Sequence, residues 1–213
     1  MDLPNDSRPD DVVWPHPEWP APHELRGQHI VLSQFVPDDA PALFAALDHD
    51  ACWAHVAGRP TSPAQYADAL SEAPAAGRWP WVIRLLRPVG EASAGEVVGT
   101  TSFFELSLHD ARIEIGHTVY SAAVWATEVN PEAKLLLMSW AFDHGFGRVQ
   151  LKTDIRNRRS QRAIAGLGAT YEGVLRRYQR RSDGTVRDTV LFSVTAEEWP
   201  AVKHRLQQRL AAG

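Results

Sequence analysis

Two polar segments of the sequence carry the residue types and spacing expected of a site for an anionic ligand. In residues 126–134, Asn130-Pro131-Glu132 precedes a long apolar run. This predicts a helix start, because Asn caps helices, Pro suits the first turn and Glu favours the positive end. The free backbone N–H groups of such a turn can bind phosphate or pyrophosphate. In residues 154–164, basic and polar residues gather where a strand ends and a helix begins. Taken alone, each segment is also explained as a solvated helix start.

The composition is that of an ordinary globular domain. The chain has 213 residues, of which 44% are hydrophobic and 23% are charged. Its apolar runs are shorter than the ~20 residues that a membrane helix needs, and its N-terminus lacks the pattern of a secretory signal. Cys52 is the only cysteine, which excludes intramolecular disulfides and cysteine-rich zinc sites. We therefore expect a cytoplasmic protein without a membrane segment.

Charge is distributed unevenly along the chain. Residues 1–110 contain 6 Lys/Arg and 16 Asp/Glu, whereas residues 111–213 contain 16 Lys/Arg and 10 Asp/Glu. The basic second half is compatible with binding a small polyanion, although solvated surface charge would give the same count. The acidic first half argues against a nucleic-acid partner, because wrapping a long nucleic acid needs a broad basic face.

The pattern of elements divides the chain into an arm and one domain. Residues 1–24 contain six prolines and two tryptophans, which predict an extended arm that packs on the domain or on a second copy as a homodimer. Residues 25–213 predict a single domain in the order β-α-α-β-β-β-α-β-α-β-β-α. The predicted strands are 29–35, 79–87, 96–104, 112–119, 148–154, 172–181 and 185–194.

This order predicts an α+β fold with a mixed sheet of about seven strands flanked by helices. The helix between strands 112–119 and 148–154 requires a crossover connection, so these two strands should be parallel. In the first of them, alternation puts Ile113 and Ile115 on one side and Glu114 and Gly116 on the other. If the alternation continues, His117 lies with the isoleucines. The last two strands form a hairpin at an Asp-Gly turn.

Several motifs together resemble the GNAT family of acyl-CoA N-acyltransferases, and most closely its branch of ribosomal-protein N-terminal acetyltransferases. The resemblance covers roughly residues 25–200. One departure is that the pyrophosphate loop of the family usually contains glycines, whereas residues 124–130 contain none, so we expect negative φ angles there. The matching residues are Asn157, Ser160, Ile164, Leu167-Gly168-Ala169, Glu172-Gly173, Ile113 to His117 and Trp125 to Glu128.

The resemblance implies transfer of an acetyl group from acetyl-CoA, the co-substrate, to a primary amine by direct attack in a ternary complex without a metal ion. The strands 112–119 and 148–154 would then splay apart around the pantetheine arm. Ser160 would protonate the leaving thiolate, and Asn157 would bind the pantetheine; local helix capping is the alternative for both. The coenzyme-binding residues implied are His117, Thr127, Glu128, Val129, Asn130, Lys134, Asn157, Arg158 and Ser160.

The base that deprotonates the amine is not given by the resemblance. A glutamate that some relatives use falls at Gln179, and glutamine cannot take a proton. Glu114 is the best replacement, because its strand faces the substrate in this fold; an ion pair is its alternative role. Trp53, between two helices that border the acceptor pocket, could line it together with Glu114 and Gln179.

The acceptor itself stays open, as a protein N-terminus or a small amine. Two other classes of function are compatible with the sequence. One is a catalytically silent acyl-CoA binding or sensing module, which the glutamine at position 179 would explain. The other is a scaffold that binds RNA through the arginines of the hairpin, although charged side chains also protect exposed sheet edges.

Overall fold

The structure, a computed structural model, describes residues 13–20, 24–181 and 183–212. Within these residues, eight strands form one sheet in the order β1-β2-β3-β4-β5-β6-β8-β7. Among these described strands, only β5 and β6 are parallel; the other neighbouring pairs are antiparallel. The strands are β1 (Glu24–Arg26), β2 (Ile30–Gln34), β3 (Arg78–Leu85), β4 (Val97–Ser107), β5 (Arg112–Tyr120), β6 (Arg148–Asp154), β7 (Thr170–Arg180) and β8 (Val186–Thr195).

Six α-helices flank the sheet within the described part of the chain. The predicted α+β class with a mixed sheet is confirmed, and the additional strand is the short β1, which pairs with β2. The sequence did not predict the one-turn helix α2. The helices are α1 (Ala40–Leu47), α2 (Asp50–Trp53), α3 (Pro63–Ser71), α4 (Val129–Asp143), α5 (Arg158–Leu167) and α6 (Trp199–Ala211). None of the helices in the described ranges is long and apolar enough to cross a bilayer.

Both faces of the sheet are covered by apolar layers. The α4 face carries the larger core, in which Ile113 and Ile115 pack beneath Leu137 of α4. The α3 face carries the smaller core, in which Val82 and Val119 pack against α1, α2 and α3. The loops between the sheet and these two layers therefore meet at the ends of the central strands.

The central parallel strands separate after three paired residues. Arg112, Ile113 and Glu114 of β5 pair with Arg148, Val149 and Gln150 of β6, and the pairing stops there. Beyond Glu114, β5 continues to Tyr120 with β4 alone, while β6 continues to Asp154 with β8. A wedge-shaped gap therefore opens between the two strands, as the predicted splay requires.

A bulge in β5 lies beside this gap. Thr100 pairs with Val119 and Ser102 pairs with Gly116, so His117 and Thr118 together oppose Thr101. His117 has a φ of 47°, and the Thr118 hydroxyl lies 2.7 Å from that of Thr101. His117 is therefore the extra residue, and Thr118 takes the place beside the isoleucines that alternation gave to His117.

The described part of the N-terminal arm packs on its own domain. Trp19 contacts the rings of Trp79 and Trp140 at centroid distances of 5.0 Å. Trp14 donates a hydrogen bond to the Gly145 carbonyl at 2.8 Å. Both tryptophans thus contact their own domain, while Trp14 stays 39% exposed. The rest of the arm, residues 1–12 and 21–23, lies outside the described residues.

Candidate active site

The turn between β5 and α4 presents three free backbone amides. Ala126, Thr127 and Glu128 donate no backbone hydrogen bond to another residue of the described chain, and they precede the positive end of a 15-residue helix. Ala126 has a φ of 62°, so the expectation of negative φ angles in this loop is wrong. Left-handed residues such as Ala126 and right-handed ones such as Glu128 are the conformations from which anion-binding nests of backbone N–H groups are built. Alanine thus adopts a conformation that usually favours glycine.

The start of α4 also differs from its prediction. The helix begins at Val129 with Glu128 as its cap residue, so the predicted cap, Asn130, lies inside the first turn. The capping function passes to Thr127, whose hydroxyl donates to the Val124 carbonyl at 2.7 Å and accepts from the Val129 amide at 3.4 Å. The Val129 side chain is fully buried, so only its backbone faces the turn.

The acidic residues of this turn point away from the free amides. The buried carboxylate of Glu132 accepts hydrogen bonds from the backbone amides of Gln28, His29 and Ile30 at 2.6–3.1 Å. Glu128 lies 3.6 Å from the His29 ring. Both negative charges are therefore directed towards the β1–β2 turn, which leaves the amides of the loop favourable for an anion.

The other wall of the gap is the start of α5. Asn157 caps this helix, because its side-chain oxygen accepts from the Ser160 amide at 3.0 Å. The Ser160 side chain is half-buried, and no hydrogen bond of its hydroxyl is found within the described residues. Arg158 is exposed, and the neighbouring Arg159 lies over the Trp125 ring at 3.8 Å. Arg159 of α5 thus lies against Trp125, next to the turn with the free amides.

Lys134 lies one turn into α4 and is almost completely buried, with 4% of its surface exposed. Its ammonium group donates to the Thr118 hydroxyl at 3.0 Å, next to the bulge. Its burial lowers its pKa to about 7, and no carboxylate of the described chain forms a salt bridge with it. Its nitrogen therefore bonds to the bulge and does not reach the turn at residues 126–128.

Glu114 lies where β5 and β6 separate, on the α3 face, and only 2% of it is exposed. Its Oε2 atom accepts from Lys152 at 2.8 Å and from Gln150 at 3.2 Å. Burial raises its pKa to about 7, against the opposing attraction of Lys152. A carboxyl group with such a pKa can accept a proton near neutral pH. The Oε1 atom lies 3.1 Å from the place that a Gly116 side chain would occupy.

Lys152 connects Glu114 to residues that the sequence did not single out. Its ammonium group lies 2.6 Å from Glu105 and 3.1 Å from the Tyr178 hydroxyl, and these contacts and Glu114 raise its pKa. Gln179, the position suggested by the resemblance, is exposed on β7, while its neighbour Tyr178 enters the cluster. Adjacent side chains of a strand point to opposite faces, which explains why Tyr178, and not Gln179, contacts Lys152.

Two further predicted residues lie on the α3 face. Burial and the charge of Arg78 lower the pKa of His117 to about 4, so its imidazole is neutral at pH 7. The influence of Arg78, a residue on the α3 side of β3, indicates that the ring lies on that side of the sheet. The ring nitrogen of Trp53 donates to the Leu47 carbonyl at 2.8 Å, and the ring packs edge-on against Tyr66. Trp53 is therefore chiefly a core residue that supports Tyr66.

The comparison with known proteins assigns this arrangement to a family. Residues 29–170 match the family described as Acetyltransferase (GNAT) domain. The chain belongs to the GNAT acetyltransferase family. It is accordingly an acyl-CoA-dependent acetyltransferase, as the motifs around Asn157 and Ser160 predicted. No curated protein matches this GNAT sequence.

Solved structures give the same fold for this GNAT protein. A candidate acetyltransferase from T. thermophilus is 36% identical, with a TM-score of 0.78 and coverage of 91% of this chain and 100% of the other. A GCN5-related N-acetyltransferase from Brucella melitensis is 25% identical, with a TM-score of 0.82 and coverage of 92% and 88%. RimJ of Mycobacterium smegmatis, solved with CoA-disulfide, is 23% identical, with a TM-score of 0.71 and coverage of 91% and 97%, and it supports the fold alone.

The described residues of this GNAT protein fit coenzyme A as the carrier of the acetyl group. The free amides at Ala126, Thr127 and Glu128 suit a pyrophosphate. The gap between β5 and β6 leaves main-chain groups of both strands unpaired with each other, as an extended amide-containing arm requires. Coenzyme A supplies the activated thioester, and the chain supplies its orientation and a buried carboxyl group next to the gap.

Proposed function

We propose that this GNAT protein acetylates a primary amine by direct attack in a ternary complex, with Glu114 as the general base. The observation that carries the proposal is the position of Glu114 at the point where β5 and β6 separate. One carboxylate oxygen is anchored by Lys152 and Gln150. The other lies beside Gly116, where it and the Phe104 ring occupy the space that a side chain would take.

Glu114 receives the proton of the incoming ammonium group, and its pKa of about 7 suits this transfer at neutral pH. The anchoring by Lys152 and Gln150 fixes the carboxylate before the amine arrives, so little reorganisation is needed. The neutral imidazole of His117 is a second acceptor close to the same face. Its pKa of about 4 makes it a poorer base than Glu114 at pH 7.

The bulge at His117 has a separate function in this proposal. A backbone N–H that a bulge removes from the ladder can donate to the thioester carbonyl in the manner of an oxyanion hole. Lys134 and Thr101 both hold Thr118 and so fix the bulge. Ser160, across the gap, donates the proton that the leaving thiolate needs.

The turn at residues 126–130 and the start of α5 hold the coenzyme in this proposal. The main-chain amides of Ala126, Thr127 and Glu128 bind the pyrophosphate, together with that of Asn130 in the first helical turn. The exposed side chains of Arg158 and Arg159 stand opposite and can bind its phosphates. Asn157 acts by capping α5 and thereby orients Ser160.

The experiment that tests this function measures thiol release from acetyl-CoA in the presence of a panel of amines, alongside CoA binding by calorimetry. We expect CoA to bind and at least one class of primary amine to stimulate thiol release. A wild-type protein that binds CoA but releases no thiol with peptides, amino acids, polyamines or aminoglycosides would contradict amine acetylation. Absence of CoA binding would contradict the coenzyme site as well.

A further inference from the structure

An open cavity of about 630 Å³ lies on the α3 face and is lined by Phe104, the β4 residue that pairs with Glu114. Residues of α3, of the turn after it and of the paired ends of β3 and β4 line it, including Ala69, Arg78 and Phe104. The Phe104 ring reaches the backbone of β5, since a side-chain carbon at Gly116 would lie 2.7 Å from it. The cavity is of the size of ordinary small-molecule sites, and Phe104 lies between it and the backbone of β5.

Arg78 is the uncompensated positive charge in the wall of this cavity. Its side chain is half-buried, and burial lowers its pKa. In the described part of the chain, no carboxylate forms a salt bridge with it and no hydrogen bond involves its guanidinium group. Glu105, which also lines the cavity, is already paired with Lys152 at 2.6 Å, and Glu72 is exposed to solvent. A half-buried arginine without a partner is a ready site for an anion.

Two neutral polar groups converge with Arg78. The Tyr66 hydroxyl is buried without a hydrogen-bond partner in the described residues, and Tyr66 and Arg78 interact electrostatically. Tyr66 lies one helical turn before Ala69, so it is on the same face of α3 as the cavity lining. His117 also interacts with Arg78 and stays uncharged at pH 7. The group therefore carries one positive charge and an unused hydroxyl donor.

We propose that the acceptor is a small amine that carries an anionic group, which Arg78 and Tyr66 bind while the amine faces Glu114. Arg78 and Glu114 are both in register with Phe104, on the two neighbouring strands. Strands lie ~4.8 Å apart, so the two backbones are separated by roughly 10 Å. An arginine and a glutamate side chain can close that distance around an amino-acid-sized molecule. This assignment rests on the proposed function and deepens it.

The reaction remains an ordinary amide formation. The acceptor ammonium loses one proton to Glu114, which later releases it to solvent. Its nitrogen forms a bond to the thioester carbon, and the second excess proton also passes to solvent. The carbon–sulfur bond breaks, and the thiolate takes a proton from Ser160, which solvent replaces. The anionic group of the acceptor stays unchanged on Arg78, where it fixes the distance between the amine and Glu114.

The test compares acceptors in matched pairs that differ in the anionic group. β-Alanine is compared with its amide, and O-phosphoethanolamine with ethanolamine, which separates a carboxylate from a phosphate as the preferred group. Thiol release from acetyl-CoA gives kcat/KM for each. We expect at least a tenfold preference for one anionic acceptor over its neutral partner. The β-alanine amide has the less basic amine, so greater amine reactivity cannot explain a preference for the acid.

Substitutions in the cavity test whether its residues cause the preference for the anionic acceptor. We expect R78Q to lose ten- to a hundredfold in kcat/KM with the anionic acceptor, through KM, while the neutral acceptor and the KM of acetyl-CoA are unchanged. Y66F should lose several-fold in the same way, and R78K should recover part of the loss. R209Q, which removes an exposed charge from α6, is the matched control and should behave as wild type.

The outcomes separate the two proposals. Because R78Q removes an unpaired half-buried charge, it should melt at the wild-type temperature or above, so a loss of preference cannot reflect unfolding. Equal turnover within both matched pairs, or a preference that survives in R78Q, would overturn the acceptor assignment and leave amine acetylation intact. CoA binding with no turnover and no thermal stabilisation by any anionic acceptor would overturn it as well. Only failure of CoA binding or of all amine turnover contradicts the proposed function.

Discussion

The two sides of the gap are built from different chemical groups. The coenzyme side, defined as residues 124–134 and 157–160, presents backbone amides at helix starts, and its acidic side chains point away from them. The acceptor side, defined as Tyr66, Arg78, Glu105, Glu114, His117, Lys152 and Tyr178, is a network of ionisable side chains on the α3 face. A main-chain site depends on local conformation, whereas a side-chain network depends on partners that are distant in sequence.

Two lysines show this difference. Lys134, on the coenzyme side, bonds only to the Thr118 hydroxyl, and burial lowers its pKa to about 7. Lys152, on the acceptor side, has a side chain that is only 6% exposed but lies between Glu105 and Glu114, which raise its pKa. The same residue type is thus an unpaired charge in one place and the centre of an ion-pair network in the other.

The largest effect is expected for the acceptor side. E114Q should lower kcat/KM for the amine by about 10²- to 10⁴-fold, the usual contribution of a general base. In the wild type, kcat/KM should rise with pH through an inflection near 7, because Glu114 must be ionised and its pKa is about 7. The inflection should disappear in E114Q, and CoA affinity should not change. Steady-state thiol release at several pH values measures this.

E105Q is the matched control for this substitution, since it removes the other carboxylate of the Lys152 network. It should cost less than tenfold in kcat/KM, because Glu105 is not next to Gly116. An E114Q rate within threefold of wild type would exclude Glu114 as the base. His117 would then become the residue to replace.

The second prediction contrasts the lysines. K134M should be more stable than wild type at pH 7, because it removes an unpaired buried amine, whereas K152M should be destabilised by about 3 kcal/mol or more, because two carboxylates lose their partner. Above pH 7 the unfolded chain binds a proton at Lys134 that the native state does not bind. The stability of the wild type therefore rises with pH up to the unfolded pKa near 10.5.

The advantage of K134M should accordingly shrink by about 2 kcal/mol between pH 7 and pH 9. Denaturant unfolding of both proteins at the two pH values measures the difference. An advantage that does not depend on pH would mean that Lys134 is charged in the native state across this range. Stabilisation by K152M would mean that the acceptor-side network is not what holds Glu114.

The third prediction concerns the backbone of the coenzyme side. A126G should raise the free energy of unfolding by up to about 1 kcal/mol, because alanine at a φ of 62° is strained and glycine is not. A165G, in the interior of α5, should lower it by about 1 kcal/mol and is the matched control. Thermal denaturation of both variants measures the contrast. Equal destabilisation by both would mean that Ala126 does not have a left-handed conformation.

The accuracy of the sequence-based predictions also differs between local features and contacts that are remote in sequence. The bounds of β6 and α5 agree with the prediction, because periodicity and the left-handed Gly168 that ends α5 are local signals. The position of Glu114 on the face opposite Ile113 followed from alternation. The splay of β5 and β6 followed from the family resemblance, since no local residue pattern determines where pairing stops.

The residues that were missed are those whose partners are remote. Lys152 meets Glu105 across 47 positions of sequence and Tyr178 across 26, and Arg78 meets Tyr66 through packing of α3 on the sheet. The bulge at His117 was missed because it contains no glycine to mark a positive φ. The sequence predicted free backbone amides in the turn that contains Ala126. It also predicted negative φ angles there, whereas the φ of Ala126 is 62°.

The smallest effect is expected for the coenzyme-side proton donor. S160A should lower kcat by less than tenfold at pH 7, because a thiol with a pKa near 8.5 is a good leaving group that water can also protonate. The deficit should vanish by pH 9, where the thiolate needs no proton to depart, whereas a deficit caused by misplaced coenzyme would persist at every pH. N157A, which removes the cap of α5, should instead cost about 1 kcal/mol of stability. A pH-independent loss in S160A would therefore assign Ser160 to positioning the coenzyme, and the coenzyme side would then act by binding alone.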